Sequence, residues 1–374
     1  MLKTVPDLET LFSELQALRE TIASQVKALS EEVLKRERMN DLKVDVACSQ
    51  IDLQIREYTA LMTRINDARV AAEAGAESPE ALVSIRRDWA ILGARSSLTR
   101  VELNQWAMMR DLVRTQVVSM RKRMPLYDPK ISDIIASQNA VSDTVFAMLH
   151  AVLNPEKQSD DAEAKGCFPD ISLANSQFHQ HLHAAYRVLL AQEKTEPSRF
   201  LDVGCGGGLK VLSALRYFTD AHGLDFQQSY VDVARKLLDH AVGNRPEVFQ
   251  ADALSFEGYA DYDVIYFYRP IRHESQLIDM ERRIVEMARP GTILVAPYLG
   301  FSARCDTLDC GHVAGNVYLA KTSQKETDWL RRKAERTGPA VVKPEHSRPS
   351  NLWTPLLVAS HRCGFDISRE PVRI

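Results

Sequence analysis

The feature that most constrains the fold is a glycine-rich stretch, FLDVGCGGGLKVL, at positions 200–212. A short apolar run leads into four glycines, and a helix-like pattern follows them. Glycine loses more conformational freedom than other residues when it is ordered, so this density indicates that the backbone approaches something closely. A glycine loop between a strand and a helix presents free N–H groups and a helix dipole to a ligand. The stretch therefore predicts a ligand-binding loop, which several kinds of nucleotide-binding fold share.

The spacing of the glycines narrows the choice of ligand. A dinucleotide fingerprint that starts at Gly204 and Gly206 needs its third glycine or alanine at Leu209, so it does not fit. A phosphate-binding P-loop is excluded as well, because no Lys-Ser/Thr pair follows the loop. The series runs instead through Asp202, Gly204, Gly206 and Gly208. A carboxylate inside the loop suits an ammonium or a sulfonium ligand better than a pyrophosphate.

This series resembles the first motif of the class I S-adenosylmethionine-dependent methyltransferases. Segments that fit the same family follow in order over about 198–321: AHGLDF, QADALSF, DYDVIYFYRPI and RPGTILVAPYL. The resemblance implies that Asp225, at the end of the second strand, accepts hydrogen bonds from both ribose hydroxyls. It also implies that Asp252 receives the adenine amino group and that the Ala253 N–H meets the ring.

The fold class follows from the alternation of short apolar runs with helical segments after residue 199, which is typical of a parallel sheet with crossover helices. The resemblance implies a Rossmann-like α/β domain with a twisted, mostly parallel seven-stranded sheet, and S-adenosylmethionine as the cofactor. The residues implied to bind it are Asp202, Gly204, Gly206, Gly208, Asp225, Phe226, Asp252, Ala253 and Tyr268. Two alternatives are a related fold that has lost its cofactor and a nicotinamide enzyme, since Asp225 alone suits either ribose.

The end of the fourth strand, YRPIRH at 268–273, is the expected place for the chemistry. It lacks the Asn/Asp-Pro-Pro-Tyr/Phe signature of nucleobase and glutamine amide methylation, which disfavours nucleobase N-methylation. Tyr268 is predicted to pack on the methyl donor or orient the acceptor, Arg269 to pair with a substrate carboxylate or phosphate, and His273 to act as a base. The alternatives are packing for Tyr268, a surface ion pair for Arg269 and a solvent-facing helix start for His273.

The first part of the chain predicts long helices. One apolar run recurs at steps of three and four, at Leu8, Leu11, Leu15, Leu18 and Ile22. A second run forms a heptad seam, at Val44, Cys48, Ile51, Ile55, Tyr58, Met62 and Ile65. Ser78 and Pro79 suit the start of a third helix, which is predicted to run to about Arg123. These patterns predict an all-α bundle or coiled-coil arm whose seam closes either within one chain or across two chains.

Changes in composition divide the chain into four parts. They are a helical arm at 1–155, a polar linker at 156–172, the S-adenosylmethionine-binding domain at 173–321, and a C-terminal appendage at 322–374 that packs on that domain. Trp329 and Trp353 are expected to anchor the appendage on the sheet or on the arm. GNVYLAKT is predicted to be the last strand, which gives an order unlike the helix and two strands that usually end the family's fold.

No metal site is expected. His179 and His183 lie four apart on one helix but lack the carboxylate of the metalloprotease arrangement, so cleft lining or packing is the preferred interpretation. The spacing of Cys305, Cys310 and His312 is not a standard zinc pattern. The six cysteines, irregularly spaced, are typical of reduced thiols in a cytoplasm.

The bulk composition excludes several classes of protein. A net charge of −3 argues against a general nucleic-acid binder. No run of about 18 apolar residues predicts a membrane span, and the charged N-terminus lacks the core of a signal peptide. We therefore expect a cytoplasmic enzyme that methylates a small acid, a glycan or a protein, with helices that oligomerise or position the substrate. The alternative is a non-catalytic scaffold that senses the cofactor.

Overall fold

The computed structural model describes residues 7–128, 132–154, 157–171, 173–194, 197–239, 246–342 and 351–367. The chain forms two compact units, one of 1–122 with 345–369 and one of 123–344 with 370–374. The helices are α1 Leu8–Val33, α2 Asp41–Ala74, α3 Pro79–Leu103, α4 Trp106–Ser119, α5 Asp133–Leu153, α6 Asp160–Ala164, α7 Asn175–Ala191, α8 Leu209–Ala214, α9 Gln228–Leu238, α10 Glu274–Met287, α11 Leu299–Arg304, α12 Gln324–Ala334 and α13 Thr354–Arg362. The strands are β1 Arg199–Val203, β2 Asp220–Asp225, β3 Glu247–Gln250, β4 Val264–Phe267, β5 Ile293–Val295, β6 Cys310–Ala314 and β7 Val317–Ala320. None of the described helices is long and apolar enough to cross a membrane.

The first unit is built on the two apolar runs seen in the sequence. Leu11, Leu15 and Ile22 of α1 are buried in the same core as Ile51 and Tyr58 of α2. Ser78 caps α3 by accepting the Ala81 N–H, and Pro79 is the first helical residue, as predicted. Both seams therefore close on partners within this chain.

The third predicted helix is two helices in the structure. α3 ends at Leu103 and α4 begins at Trp106, so a single helix to Arg123 was wrong. Both residues beside the break are buried, and the Trp106 indole N–H donates to Asp52 Oδ1 at 2.7 Å. The break thus places the indole N–H of α4 against a carboxylate of α2.

The C-terminal segment is divided between the two units, which differs from the predicted appendage on one domain. α12 packs in the second unit, whereas α13 belongs to the first. Trp353 is fully buried, stacks on Trp106 with ring centroids 5.3 Å apart, and donates its indole N–H to the Glu102 carbonyl at 2.7 Å. Of the two places expected for this tryptophan, the structure shows the helical arm. The large apolar surface and the satisfied N–H explain why it holds there.

The second unit contains one seven-stranded sheet with strand order β3-β2-β1-β4-β5-β7-β6. β1 pairs in parallel with β2 and β4, and β7 runs antiparallel to β5 and β6. The predicted Rossmann-like, mostly parallel sheet is confirmed. The order reverses between β1 and β4, which is the switch point where ligands bind in open α/β sheets.

The end of the sheet corrects the order expected for the tail. The segment Cys310–Ala314, whose cysteine and histidine were considered above only as metal ligands, is strand β6. It pairs with β7 through a short turn at Gly315, whose φ is +54°. After β5 the chain therefore forms α11 and two strands, the arrangement that the sequence analysis did not expect.

Helix α5 belongs to the second unit and not to the arm, whose predicted limit was residue 155. Asp143 of α5 accepts the backbone N–H and the hydroxyl of Ser176, at 2.7 and 2.8 Å. Ser176 lies in the first turn of α7, where an anion complements the free N–H groups. The two helices are thus joined ahead of the sheet.

Three histidines on α7 pack in the second unit, where His181 and His183 are buried and His179 is half-buried. Their ring nitrogens lie 3.0 Å from the Tyr217 hydroxyl for His179, 3.0 Å from the Tyr127 hydroxyl for His181 and 2.9 Å from the Pro339 carbonyl for His183. Burial lowers the pKa of each from 6.5 to about 4. The folded unit therefore keeps all three neutral.

We expect the free energy of unfolding to fall as the pH drops from about 6.5 to about 4, because the unfolded chain binds more protons in this interval. Each histidine contributes up to about 1.4 kcal/mol per pH unit. Urea unfolding at pH 7.5, 6, 5 and 4.5 measures the loss. His183→Gln, which keeps a donor near Pro339, should show a smaller loss. This comparison is needed because the raised pKa values of Asp202 and Asp225 act in the opposite direction. Equal pH dependence of the two proteins would contradict the prediction.

Candidate functional site

A cavity of about 550 Å³ opens at the carboxyl ends of the parallel strands in the second unit. Many of the residues singled out from the sequence line it, namely Gly204, Gly206, Asp225, Phe226, Asp252, Ala253, Tyr268 and Arg269. Asp202, Gly208 and His273 are not among its lining residues. The structure thus brings four separate segments of the chain to one cavity.

The glycine loop needs residues without a side chain. Gly204, Gly206 and Gly208 have φ values of +81°, +51° and +81°, in the left-handed region that favours glycine. A Cβ at position 204 would lie only 2.6 Å from the Pro270 Cβ. The Gly204 and Cys205 N–H groups both donate to the Leu224 carbonyl, at 2.8 and 3.0 Å. The loop is therefore tied to β2 and closely approached by the segment after β4.

Asp225 is held at the end of β2 by the backbone. Its Oδ2 accepts the Gly206 N–H and its Oδ1 accepts the Gln227 N–H, both at 2.9 Å. Burial raises its pKa to about 6, while these two bonds oppose the shift. The carboxylate is thus ionised at neutral pH. Each of its oxygens keeps a lone pair for a further donor.

Asp252 and Ala253 follow β3 and close one end of the cavity. Asp252 Oδ1 accepts the Leu254 N–H at 2.9 Å, and the Tyr259 hydroxyl donates to the Ala253 carbonyl at 2.9 Å. The neighbouring lining residues are largely apolar, including Leu224 and Leu254. A slot of this kind, with one carboxylate at its edge, suits a flat ring that carries an amino group.

Asp202 lies behind the lining and beside a buried lysine. Burial raises the pKa of Asp202 to about 8, and the charge of Lys210 opposes that shift. The Lys210 Nζ lies 4.0 Å from the Phe146 ring centroid and 4.5 Å from that of Phe178. Burial lowers the pKa of Lys210 to about 8. A further cation near Asp202 would favour its ionised form.

A segment that we call the strap, residues 165–171, forms one wall of the cavity. The Phe168 N–H donates to the Pro270 carbonyl at 3.1 Å, and the Arg272 N–H donates to the Gly166 carbonyl at 2.6 Å. Cys167 and Ile271 form the antiparallel bridge between them. The sequence analysis placed these residues in a linker. The signal that could have found them is the island CFP, apolar within a polar segment.

Asp170 of the strap bonds to the glycine loop. Its Oδ2 accepts the Gly207 N–H at 3.0 Å and the Asn154 Nδ2 at 2.7 Å, and His150 Nε2 lies 3.1 Å from its Oδ1. A Cβ at position 206 would clash with this carboxylate. Asp170 lines the cavity and was missed, because its partners are distant in sequence.

The segment after β4 carries the three residues predicted to be catalytic. Tyr268 is 37% exposed and Arg269 has a φ of +46°, an uncommon value for a residue with a side chain. His273 precedes the first residue of α10, and its ring packs so closely on Gly166 that no Cβ would fit there. Tyr268 and Arg269 thus face the cavity, whereas His273 supports the strap.

The other candidate groups have partners of their own. His179 and His183 bond to Tyr217 and Pro339, as described above. Cys305 and Cys310 are buried, and burial raises the pKa of both thiols. Within the described ranges no group of three or more His, Cys, Asp or Glu is arranged to hold a metal ion.

Residues 200–291 match the model of a protein family described as "Methyltransferase domain", which is less than half of the chain. None of the curated proteins matches.

Three solved methyltransferases that this chain resembles have TM-scores below 0.5. An RNA methyltransferase from Salinibacter ruber, in complex with S-adenosyl-L-homocysteine, is 22% identical with a TM-score of 0.28, over 34% of this chain and 76% of that one. Magnesium protoporphyrin IX methyltransferase from Synechocystis, with bound SAM, is 16% identical with a TM-score of 0.31, over 51% and 96%. A sugar N-methyltransferase from Streptoalloteichus is 18% identical with a TM-score of 0.27, and this chain covers 54% of its length. At these scores, none of the three indicates what this chain acts on.

Proposed function

We propose that this chain carries a class I methyltransferase domain and transfers a methyl group from S-adenosylmethionine to an acceptor. The observation that carries the proposal is the position of Asp225. Its carboxylate is fixed by two backbone N–H groups at a strand end, in the same cavity as the glycine loop and Asp252. A pair of fixed carboxylate oxygens suits the paired hydroxyls of a ribose.

The residues present fit this cofactor. Gly204 and Gly206 line the cavity beside Asp225, with backbone conformations that favour glycine. Asp225 would accept the ribose hydroxyls, and Asp252 with the Ala253 N–H would hold the adenine. Asp170 lies at the loop, and a cationic group of the cofactor would favour the ionised form of Asp202 beside it. The bound cofactor supplies a methyl group on a sulfonium, which is a good leaving group.

The protein's own part in such a reaction is mainly alignment. The acceptor atom must be held in line with the methyl carbon at near-attack distance, and a base is needed only where the acceptor must lose a proton early. We assign this positioning to Tyr268 and Arg269, which line the cavity after β4. We assign to His273 the support of the strap, because its ring lies against Gly166.

The helical arm would oligomerise or position a substrate. Three apolar side chains on α3 support an interaction role, since Ile91, Leu98 and Val101 are 62%, 66% and 59% exposed. All six cysteines are free thiols, which supports a reducing cytoplasm as the location.

Titration calorimetry tests the function. We expect S-adenosylmethionine and S-adenosylhomocysteine each to bind the full chain at one site, and NAD not to bind. NAD is the control because a nicotinamide enzyme is the alternative that Asp225 allows. Binding of NAD, or of neither adenosyl ligand, would reject the proposal. A non-catalytic scaffold would bind the adenosyl ligands tightly but form no S-adenosylhomocysteine with any acceptor.

A further inference from the structure

Two arginine side chains lie against one aromatic ring, that of Phe168. Phe168 and Arg269 line the cavity, and Arg272 lies beside them without being one of its lining residues. The Cζ atoms of Arg269 and Arg272 lie 5.5 and 5.4 Å from the Phe168 ring centroid. Both distances are within the range of a cation–π contact. The strap fixes this arrangement, because the Phe168 N–H and the Arg272 N–H form the backbone bonds that join the two segments.

The two positive charges have little compensation nearby. Glu274 Oε2 lies 4.0 Å from Arg269 Nη2, while the other oxygen of Glu274 accepts from Arg304 at 2.7 Å. Among the described residues, no carboxylate lies within 4 Å of the Arg272 side chain. An anion held near the Phe168 ring would be attracted by both guanidinium charges. The guanidinium donors that this requires are available.

The backbone conformation of Arg269 is a second unusual feature of the segment after β4. A φ of +46° costs free energy for a residue with a Cβ, and such conformations persist where the surroundings hold them. Here the strap bonds to the Pro270 carbonyl, and Pro270 packs against Gly204 of the glycine loop. The strained residue is therefore the one that brings its guanidinium to the edge of the cavity.

The size of the cavity limits where an acceptor can lie once the proposed cofactor is bound. A volume of about 550 Å³ is that of a pocket for one drug-sized ligand. The proposed cofactor contacts fill the side formed by β1, β2 and β3. The acceptor must then enter past the end of β4, where the side chain of Arg269 is 47% exposed.

We propose that Arg269 and Arg272, stacked on Phe168, bind the anionic group of a small acidic acceptor. The anion is a carboxylate or a phosphate, both of which match the planar fork of a guanidinium. The inference rests on the proposed function, since it names the class of acceptor for the same site. It concerns recognition of the anion and does not depend on which acceptor atom receives the methyl group.

The test uses the full chain saturated with S-adenosylhomocysteine and two pairs of probes. Benzoate is compared with neutral benzamide, and phenyl phosphate with neutral phenol, by calorimetry at low salt. We expect at least one anion to bind tenfold or more tightly than its neutral partner, and to weaken as salt is added. Tighter benzoate identifies a carboxylate acceptor, and tighter phenyl phosphate a phosphorylated one.

Variants locate the effect. Arg272→Met and Arg269→Met should each weaken binding of the preferred anion at least tenfold. Arg282→Met is the matched control, because this exposed arginine of α10 pairs with Asp279 and does not contact the Phe168 ring. Its affinity for the anion should match the wild type. Circular dichroism checks that each variant is folded.

The outcomes separate this inference from the function on which it rests. If the wild type does not bind S-adenosylhomocysteine, the proposed function fails and the inference with it. If S-adenosylhomocysteine binds but neither anion exceeds its neutral partner, only the acidic acceptor is overturned. The same conclusion follows if both arginine variants bind the anions as the wild type does.

Discussion

Asp225→Ala is expected to weaken binding of S-adenosylmethionine at least tenfold. The carboxylate that it removes is held by the Gly206 and Gln227 N–H groups at 2.9 Å each, and would accept two hydrogen bonds from the ribose. A hydrogen bond to a charged group contributes about 1.5–3 kcal/mol, and a tenfold change in affinity corresponds to about 1.4 kcal/mol. Calorimetric titration at pH 7.5, where the carboxylate of the wild type is ionised, measures the change.

Two further variants make the result specific. Asp225→Asn keeps the shape but loses the charge, so its affinity should lie between those of the wild type and the alanine variant. Asp232→Ala is the matched control, since this exposed aspartate on α9 pairs only with neighbours on its own helix. An unchanged affinity in Asp225→Ala would refute the assignment of the second motif and with it the cofactor site.

The sheet and the glycine loop could be predicted because their signals are local. The strands β1, β4 and β5 are short runs rich in apolar residues, and Asp225 ends β2 directly, so the spacing along the chain already indicates their positions in the sheet. The left-handed φ values of Gly204, Gly206 and Gly208 are conditions that only glycine meets readily, and the sequence displays them as glycines. In these elements the residue type by itself indicates the local geometry.

The strap could not be predicted in this way, because its contacts are distant in sequence. A polar segment with proline and glycine favours a linker. The apolar residues CFP indicate that this segment packs on something, but not that Phe168 bonds to Pro270 or that Asp170 reaches Gly207. The cost of a Cβ at Gly206 comes from Asp170, which the loop sequence does not contain. The chain thus shows that a glycine is needed but not which residue requires it.

Strand β6 was missed for a different reason. The residues CGHVA contain a cysteine and a histidine, which were considered as metal ligands and not as part of a strand. The hairpin signal was present in Gly315 and Asn316, a two-residue pair typical of tight turns between strands. Two strands joined at that pair would have restored the expected helix and two strands after β5.

The last tryptophan allows the strongest prediction about stability. Trp353→Ala is expected to lower the free energy of unfolding of the helical unit by about 3–5 kcal/mol, the usual cost of removing a buried tryptophan. The side chain is fully buried, stacks on Trp106 and bonds to the Glu102 carbonyl, so the change leaves a cavity and an unpaired acceptor. Urea unfolding of the full chain, followed by far-UV circular dichroism, measures the loss.

Trp329→Ala is the control for this prediction, because Trp329 has the same side chain in a different environment. It is 55% exposed, and its ring contacts Lys333 at 4.6 Å, an exposed cation–π pair of about 0.5–1 kcal/mol. We therefore expect a small change in the unfolding of the second unit and none in that of the helical unit. If Trp353→Ala destabilises no more than Trp329→Ala, then α13 does not contribute to the helical core. The segment after residue 322 would then belong to a single domain, as the sequence composition alone had predicted.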